Sequence, residues 1–334
     1  MRFKQFLSLT ITPIFLLSAA LSANVRPVNV SYNVADGSSW DQGAERFQEL
    51  VKEYSGGEYT VRLHPNAALA SGNDRVELEM TQSGAIQFLI KSTTWMTGLD
   101  DRYQAIGLPW LFPDHETASA VMDGAAGDVL LNDLDQHALK GLAWGVNGFR
   151  QVTNSKRPIT KPADLEGLRI RVPGIALYLS IFEGLGASPT TMSFAEVFTA
   201  LQTGAVDGQE NPLSLIWSSR FHDVQKYVTL WDYSYDALAF VSSSRFWSTL
   251  DEDDQKMFAR AAQEAMDFQR EVVKQEDIDL VGKLEEAGMT VTKLSDEQLD
   301  AFKKALEPVY KEYKEKLGTE FVETLENGVQ EKAE

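Results

Sequence analysis

Three polar segments of the sequence contain residues suited to binding a carboxylate. Arg150 lies in the segment Asn-Gly-Phe-Arg-Gln, Arg171 lies in Leu-Arg-Ile-Arg-Val, and Asn211 lies in Asp-Gly-Gln-Glu-Asn-Pro. A planar guanidinium binds a carboxylate through two parallel hydrogen bonds, and a neutral amide adds a hydrogen bond without a charge. The three segments therefore predict a pocket for a small anion.

The segment around Arg171 alternates apolar and charged residues. A strand with this period of two places Arg169 and Arg171 on one face and the apolar residues on the other. A buried cationic face is costly unless an anion meets it, and that anion is either a carboxylate of the protein or a ligand. The pattern leaves both possibilities open, for Arg150 as well, and it does not choose between Arg169 and Arg171.

Catalytic chemistry finds little support in the sequence. It contains no cysteine, no phosphate-binding Gly-x-x-x-x-Gly-Lys-Ser/Thr motif and no histidines at metal-ligand spacing. Asp207 and Glu210 could form an acid-base pair, but we interpret them as solvated or turn-forming carboxylates. We therefore expect a binding protein with no catalytic residue, no metal and no cofactor, rather than an exported hydrolase or lyase.

Aromatic residues and a carboxylate offer further candidates for a pocket wall. Trp95, Trp217 and Tyr235 are aromatic candidates, and Asp236 follows Tyr235 directly. Aromatic rings cover the apolar faces of ligands, whereas tyrosine hydroxyls and carboxylates bind hydroxyl or amino groups. Packing in the hydrophobic core is the alternative interpretation of the aromatic residues.

Length and charge limit the class of protein. A chain of 334 residues exceeds what one hydrophobic core usually supports, which predicts two lobes. The formal net charge of −18 repels nucleic acid and anionic membranes, so we expect no nucleic-acid partner. An anionic ligand therefore needs local cations, which the arginine segments supply.

The N-terminus has the pattern of a signal peptide. Arg2 and Lys4 precede an apolar run that ends in small residues, and we expect residues 1–23 to be removed by cleavage after Ala23. No second apolar run has the length of a membrane span, so we expect a periplasmic protein without direct membrane insertion after cleavage. The lack of cysteine excludes disulfides and a lipid-anchored cysteine.

Hydrophobic periodicity predicts alternating strands and helices, which is the pattern of an α/β fold. The predicted strands comprise residues 28–34, 59–63, 85–90, 141–146 and 168–172. The predicted helices comprise residues 40–54, 74–83, 118–133, 176–186 and a long helix over 251–286.

Capping boxes predict two further helices, one that begins at Ser193 and a final one that begins at Ser295 and is kinked at Pro308. Residues 207–212 are predicted to form a loop. Residues 162–173 are predicted to cross between the lobes as loop and strand.

Several of these segments together resemble the signature of a known family. Residues 167–173 (GLRIRVP), 186–189 (GASP) and 193–212 (SFAEVFTALQTGAVDGQENP) are similar to those of the solute-binding proteins of tripartite ATP-independent periplasmic (TRAP) transporters, the DctP family. The similarity extends over nearly the whole chain after the signal peptide.

The resemblance implies two α/β lobes joined by crossing strands and a long helix, with the ligand in the cleft between them. We expect residues 24–147 plus 237–276 to form lobe I, and residues 148–236 plus 277–334 to form lobe II. Binding is expected to close the lobes by a hinge motion, and no chemistry is expected.

The resemblance also implies roles for single residues. Arg171 corresponds to the arginine that clamps the ligand carboxylate, Arg150 to a second arginine that contacts it, and Asn211 to the supporting amide. Phe194 corresponds to an aromatic ligand wall. Asn33 corresponds to a polar contact of the first lobe.

The sequence departs from the sialic-acid binders of this family at two places. Residues 91–95 read Lys-Ser-Thr-Thr-Trp and lack the acid and the arginine of those binders, and Gly174 replaces a polar side chain. We therefore expect a ligand other than sialic acid.

The expected function is that of a periplasmic receptor that binds a small organic acid and delivers it to integral-membrane permease subunits. A sugar acid such as a uronate or an aldonate is favoured, because Ser92, Thr93, Tyr235 and Asp236 offer partners for hydroxyl groups. A C4-dicarboxylate, a small sulfonate, or a zwitterion held by aromatic rings and Asp236 are the alternatives.

Overall fold

The computed structural model describes residues 25–333 of the chain. The predicted signal peptide and its cleavage after Ala23 lie outside the described residues. Among the described helices, none combines the length and the apolar character that crossing a membrane requires.

Within residues 25–333, ten strands form one continuous sheet in the order β2-β1-β3-β9-β4-β7-β5-β6, with β8 paired to β4 and β10 paired to β8. The strands are β1 (Arg26–Ser31), β2 (Tyr59–His64), β3 (Phe88–Ser92), β4 (Leu139–Asn154), β5 (Arg169–Val172), β6 (Ser188–Thr191), β7 (Gly208–Pro212), β8 (Tyr227–Leu230), β9 (Tyr235–Ser243) and β10 (Thr290–Lys293).

In the part of the chain that the structure describes, twelve α-helices cover this sheet. They are α1 (Ser39–Tyr54), α2 (Asp74–Ser83), α3 (Thr93–Met96), α4 (His115–Met122), α5 (Ala125–Asp133), α6 (Ala176–Gly184), α7 (Val197–Thr203), α8 (Leu213–Ser218), α9 (Ser244–Trp247), α10 (Glu252–Glu286), α11 (Asp296–Lys316) and α12 (Thr319–Ala333). Short 3₁₀ turns, among them Phe194–Glu196 just before α7, connect them.

Strand β4 belongs to both halves of the sheet. Its residues 139–149 pair with β9, and its residues 150–154 pair with β7, while β8 also pairs with the end of β4. We call the part built from β1, β2, β3, β9 and the start of β4 the first half, and the remainder the second half. The register shifts between Val146 and Gly148, and Gly148 has a φ of 123°, so a glycine-supported bulge marks the crossing.

Helix α10 also connects the two halves, because it packs against α1 of the first half and α8 of the second. Asp251 caps α10 by accepting a hydrogen bond from the main-chain N–H of Asp254. The helix therefore begins where the sequence predicts a long helix over residues 251–286. This architecture confirms the predicted α/β fold, with a strand that crosses between two parts and a long helix that packs on both. The lobe boundaries stay a prediction.

Among the described residues, the hydrophobic core consists of three clusters. The largest includes Leu89 of the first half and Ile170 of the second, so it covers one face of both halves without interruption. A second cluster around Phe47 and Trp40 lies on the other face of the first half. A third, around Val197 and Ile216, lies on the other face of the second half.

Local signals predict the helices well where capping residues are present. The helix over 74–83 has the predicted bounds, and the capping boxes at Ser193 and Ser295 are both formed. The predicted helix over 118–133 is wrong in detail, because Gly124 adopts an extended conformation and separates α4 from α5. The helix at Ser295 is not the final one, since α12 follows it.

Two further predictions are wrong. Residues 207–212 were expected to form a loop, but Gly208–Pro212 is a strand whose five residues are all buried. Residues 162–173 do not cross between the halves, because β5 pairs only with β6 and β7 of the second half. In both places polar or charged residues occupy buried positions of a strand. A pattern of hydrophobicity does not reveal that such residues are buried.

The position of Gly208 between β4 and β5 gives a test of this packing. A Cβ at Gly208 would lie 2.2 Å from the carbonyl oxygen of Thr153. We predict that Gly208→Ala lowers the free energy of unfolding by about 1–3 kcal/mol, because the added methyl group forces the strands apart. Urea denaturation followed by circular dichroism measures this.

Gly282→Ala is the matched control, because Gly282 lies inside α10 and a Cβ there meets no atom within 4 Å. The control should gain about 0.5–1 kcal/mol from the higher helix propensity of alanine. Equal stability of the two variants would contradict the placement of Gly208 in a buried strand.

Candidate ligand-binding site

A small cavity lies where the two halves of the sheet meet, and both halves contribute to its wall. Its volume is about 20 Å³. The lining residues are Asn33, Val34, Trp40, Ser92, Thr94, Trp95, Asn147, Arg150, Arg171, Pro173, Phe194, Asn211 and Leu215. The cavity thus brings together six of the residues predicted to bind ligand: Asn33, Trp95, Arg150, Arg171, Phe194 and Asn211.

Arg150 lies at the crossing of β4 and is fully engaged by acidic partners. Its Nε and Nη2 atoms donate to the Glu210 carboxylate, and its Nη1 atom donates to Asp236 Oδ2 at 2.8 Å. Its Nη2 atom also donates to Asn211 Oδ1 at 3.2 Å. Burial by itself would lower the pKa of the guanidinium, but the two carboxylates, chiefly Glu210, hold that pKa well above the ordinary value.

Asp236 lies behind Arg150 rather than on the cavity surface. Its carboxylate accepts hydrogen bonds from Ser92 Oγ at 2.8 Å, Thr93 Oγ1 at 2.9 Å, Asn147 Nδ2 at 2.7 Å and Arg150. With this many donors already in place, Asp236 is suited to fixing the surrounding side chains rather than to meeting a ligand.

Arg171 has the opposite environment. Its side chain is buried, and its Nε and Nη2 atoms donate only to the main-chain oxygen of Met192, at 3.3 and 2.8 Å. No carboxylate oxygen among residues 25–333 lies within 4.0 Å of this guanidinium. Burial lowers the pKa of Arg171 to about 10, and more distant Glu210 opposes this only in part. A carboxylate entering the cavity would supply the missing counter-charge.

The neighbouring arginine of β5 is paired within the protein. Arg169 is half exposed, and its Nη2 atom donates to Asp207 Oδ1 at 2.8 Å, while its main-chain N–H donates to Asp207 Oδ2 at 3.0 Å. The Arg169 side chain holds the pKa of Asp207 well below its usual range. The choice that alternation left open is thereby resolved in favour of Arg171 as the arginine that faces the cavity.

The sequence-based interpretation of Asp207 and Glu210 as solvated or turn-forming carboxylates is wrong. Glu210 is completely buried in β7 and is paired with Arg150, while its Oε2 atom also accepts a hydrogen bond from the Tyr233 hydroxyl at 2.7 Å. Asp207 is buried as well and belongs to the pair with Arg169. Neither carboxylate lines the cavity as a free acid or base.

Asn33 presents an acceptor to the cavity. Its Nδ2 atom donates to Asp74 Oδ1 at 2.5 Å, and Asp74 in turn accepts from Lys91 Nζ at 2.6 Å. Because a carboxylate requires a donor, this contact determines which side of the amide is the oxygen. Asn33 Oδ1 is buried and accepts no hydrogen bond from the described side chains or main chain. A ligand hydroxyl group would satisfy it.

Two aromatic rings complete the wall. The Arg171 guanidinium carbon lies 5.9 Å from the centre of the Phe194 ring, and Lys91 Nζ lies 5.7 Å from the centre of a Trp95 ring. Both aromatic side chains are half-buried, so each keeps a face available for the apolar part of a ligand.

Trp217 and Tyr235 are predicted site residues that do not reach the cavity. Trp217 stacks on His222, with ring centres 4.5 Å apart. Tyr235 is buried between Phe112 and Phe149, each at 5.3 Å between ring centres. Both therefore follow the alternative interpretation, in which aromatic residues pack in the core.

The sequence-based reasoning did not select Trp40, Thr94, Asn147, Pro173 or Leu215, which also line the cavity. Trp40 Nε1 donates to Asn147 Oδ1 at 2.9 Å and so ties α1 to the Asp236 network. Trp40 and Leu215 have the hydrophobic character of ordinary core residues. Asn147 lies in the segment that was selected for Arg150, which is the only signal that pointed to it.

The contrast between the two buried arginines predicts opposite effects on stability without ligand. Arg150→Met leaves Glu210 and Asp236 buried without their cation, so we expect the free energy of unfolding to fall by about 3–5 kcal/mol. Arg171→Met removes a buried charge that has no carboxylate partner, so we expect little loss or a gain. Urea denaturation of the ligand-free proteins measures both, and equal losses would contradict the difference in pairing.

Comparison with known proteins finds a matching family. The family model described as bacterial extracellular solute-binding protein, family 7 (DctP), matches residues 30–316. A C4-dicarboxylate-binding periplasmic protein of Rhodobacter capsulatus is 34% identical over 313 residues, which cover 92% of this chain and 93% of that protein.

Solved structures of solute-binding proteins are also similar to this chain over most of its length. The sugar acid binding protein of Advenella mimigardefordensis in complex with galactonate has a TM-score of 0.89 at 34% identity, covering 92% of this chain and 98% of that chain. A TRAP periplasmic solute binding protein of Polaromonas bound to D-erythronate has a TM-score of 0.86 at 36% identity, covering 90% of this chain and 98% of that chain.

Proposed function

Because the chain belongs to family 7 of the bacterial extracellular solute-binding proteins, the DctP-type receptors of TRAP transporters, we propose that its ligand is a hydroxylated monocarboxylate. Members of this family are receptors for small organic acids and are not enzymes. The observation that carries the proposal is the buried guanidinium of Arg171, which faces the cavity without a carboxylate partner among residues 25–333. A sugar acid such as an aldonate or a uronate has the matching chemistry.

The charges around the cavity favour one carboxylate over two. Arg150 is already paired with Glu210 and Asp236, and Lys91 is already paired with Asp74 and Glu77 at 2.6 Å each. Arg171 therefore remains as the cation available to a ligand within the described part of the site. A second ligand carboxylate would meet a cluster whose own carboxylates outnumber the remaining cations, so a C4-dicarboxylate fits less well.

The hydrogen-bonding groups favour a ligand that carries hydroxyl groups. Asn33 Oδ1 needs a donor, and Thr94 places a hydroxyl-bearing side chain on the cavity wall. A zwitterion would need a free carboxylate for its cationic group, yet Asp236 is already surrounded by donors. The relatives that bind galactonate and D-erythronate support the same choice, whereas the C4-dicarboxylate-binding relative represents the main alternative.

The proposal includes the location and the partner. Relatives at about a third identity are named as periplasmic proteins, and the N-terminal sequence has the pattern of a signal peptide. We therefore place the receptor in the periplasm, where it would deliver its ligand to the integral-membrane subunits of a TRAP transporter. Since Asn33 and Trp95 come from the first half and Arg171 and Phe194 from the second, ligand would draw the two halves together.

A thermal-shift screen tests the ligand class. We expect galactonate and D-erythronate to raise the melting temperature, because a ligand that binds only the folded protein stabilises it by mass action. Succinate, taurine and glycine betaine test the three alternative ligand classes, a dicarboxylate, a sulfonate and a zwitterion. A shift with one of those three and none with the sugar acids would overturn the proposed class.

Arg171→Lys tests the proposed carboxylate contact. Lysine keeps the charge but loses the planar pair of donors. We therefore expect the affinity to fall by a factor of roughly 30 or more, since truncation of a buried charge contact costs about 2–5 kcal/mol. Calorimetric titration with the acid that gives the largest thermal shift measures the change. Arg169→Lys, in the same strand but paired with Asp207, is the matched control and should bind within about twofold of the unchanged protein.

A further inference from the structure

Glu276 is a carboxylate on the long helix α10 that the candidate ligand site does not use. Its Oε1 atom accepts a hydrogen bond from Gln42 Nε2 of α1 at 3.3 Å. Its Oε2 atom is shielded from solvent and has no hydrogen-bond partner among residues 25–333. A buried carboxylate oxygen without a donor is costly when the group is ionised and far less costly when the group is protonated.

Glu276 lies where α10 passes from one half of the protein to the other. Met266, earlier in the helix, belongs to the core cluster of the first half, and Leu280, later in the helix, belongs to the cluster of the second half. A Cβ at Gly148 would lie 3.7 Å from Val273 Cγ1, so α10 meets the bulge of β4 about one turn before Glu276. The contact between Glu276 and α1 is therefore close to the point at which the two halves join.

The residue after Glu276 makes a second contact beside the same bulge. Asp277 Oδ2 lies 2.7 Å from His115 Nε2 of α4. The centre of the His115 ring lies 4.9 Å from that of Phe149, the residue that follows the bulge in β4. Asp232 is close enough for the charges of Asp277 and His115 to act on it. The long helix is therefore fastened to α1 and to α4 at the level of the bulge.

The surroundings of Glu276 favour its protonated form. Burial is the largest effect and raises the pKa of Glu276 to about 7. The hydrogen bond from Gln42 and the charge of Lys283 oppose this rise in pKa, and the charge of Asp277 adds to it. A conformation that admits water to the Oε2 atom would return the pKa toward its ordinary value of 4.5.

The raised pKa gives the packing of α10 on α1 a definite dependence on pH. The stabilisation that comes from the protonated Glu276 is fully present below its ordinary pKa of 4.5, and it is lost as the pH rises to about 7. Over the same interval, a conformation with a hydrated Glu276 becomes more populated, because that conformation binds fewer protons.

We propose that Glu276 is a proton-dependent switch that controls how readily the two halves of the protein separate. In its protonated form, Glu276 keeps α10 packed on α1 beside the bulge at Gly148. In its ionised form, it requires water at Oε2, so α10 leaves α1 and the second half moves with the helix. The switch belongs to the protein without ligand and does not depend on the class of ligand.

Distance measurement by electron paramagnetic resonance tests the switch in the ligand-free protein. The sequence contains no cysteine, so spin labels attach only at Thr60→Cys of β2 and Gln202→Cys of α7, two exposed positions in different halves. We expect the ratio of the separated to the packed form to rise by about tenfold from pH 5 to pH 8. Glu276→Gln has no ionisable group at this position. Its distances should be the same at both pH values and should match those of the labelled protein at pH 5.

Glu286→Gln, at the exposed end of α10, is the matched control and should keep the full response to pH. Absence of a response in the labelled protein, or an equal response in Glu276→Gln, would overturn the switch. Glu276→Leu, which also lacks the charge, replaces the glutamine variant if that variant does not fold.

Urea denaturation without spin labels gives a second readout. From pH 5 to pH 7 the urea midpoint of the unchanged protein should fall relative to that of Glu276→Gln, because only the unchanged protein loses the stabilisation from a bound proton. Midpoints that change in parallel would also overturn the switch.

Discussion

The buried guanidinium of Arg150 lies between the carboxylates of Glu210 and Asp236 and connects the two halves of the sheet at the site. Glu210 is on β7 of the second half, Asp236 is on β9 of the first, and Arg150 is on β4, which is shared by both. A buried guanidinium requires both a counter-charge and hydrogen-bond acceptors, and two carboxylates supply them here. Removal of Arg150 would leave two buried carboxylates without their cation, so the guanidinium holds the strands that carry Glu210 and Asp236 together.

This arrangement also decides what remains for a ligand. Because Arg150 is paired with the protein's own carboxylates, it fixes the neighbouring side chains in place and its charge is not available to a ligand. Arg171 is left as the guanidinium of the described cavity that has no carboxylate partner. A binding site gains selectivity when the cost of burying a charge is met only by the correct partner, because other solutes leave that charge unsatisfied. An overall net charge of −18 makes such a local cation more important, since the surface as a whole repels anions.

The sequence predicted what depends on local pattern. The capping boxes at Ser193 and Ser295 predicted helix starts correctly, and the alternation of residues 168–172 predicted a strand. The sequence could not predict the burial of Glu210 and Asp236, because a polar residue on a buried strand looks like a loop residue until its partner is known. Trp217 and Tyr235 failed to reach the cavity for a related reason: the composition of an aromatic segment does not specify whether a ring faces a ligand or the core.

The distribution of the hydrophobic core limits how the cavity opens. The largest cluster runs across one face of both halves, so a motion that separated the halves there would expose a continuous apolar surface at high cost. The opposite face carries two separate clusters, and Phe194, which lines the cavity, packs at the edge of both. Separation on that face would uncover the Arg171 side of the cavity. Opening is therefore expected as a bend about the shared strand β4, with the bulge at Gly148 as the flexible point. The core that continues across both halves limits the extent of this bend.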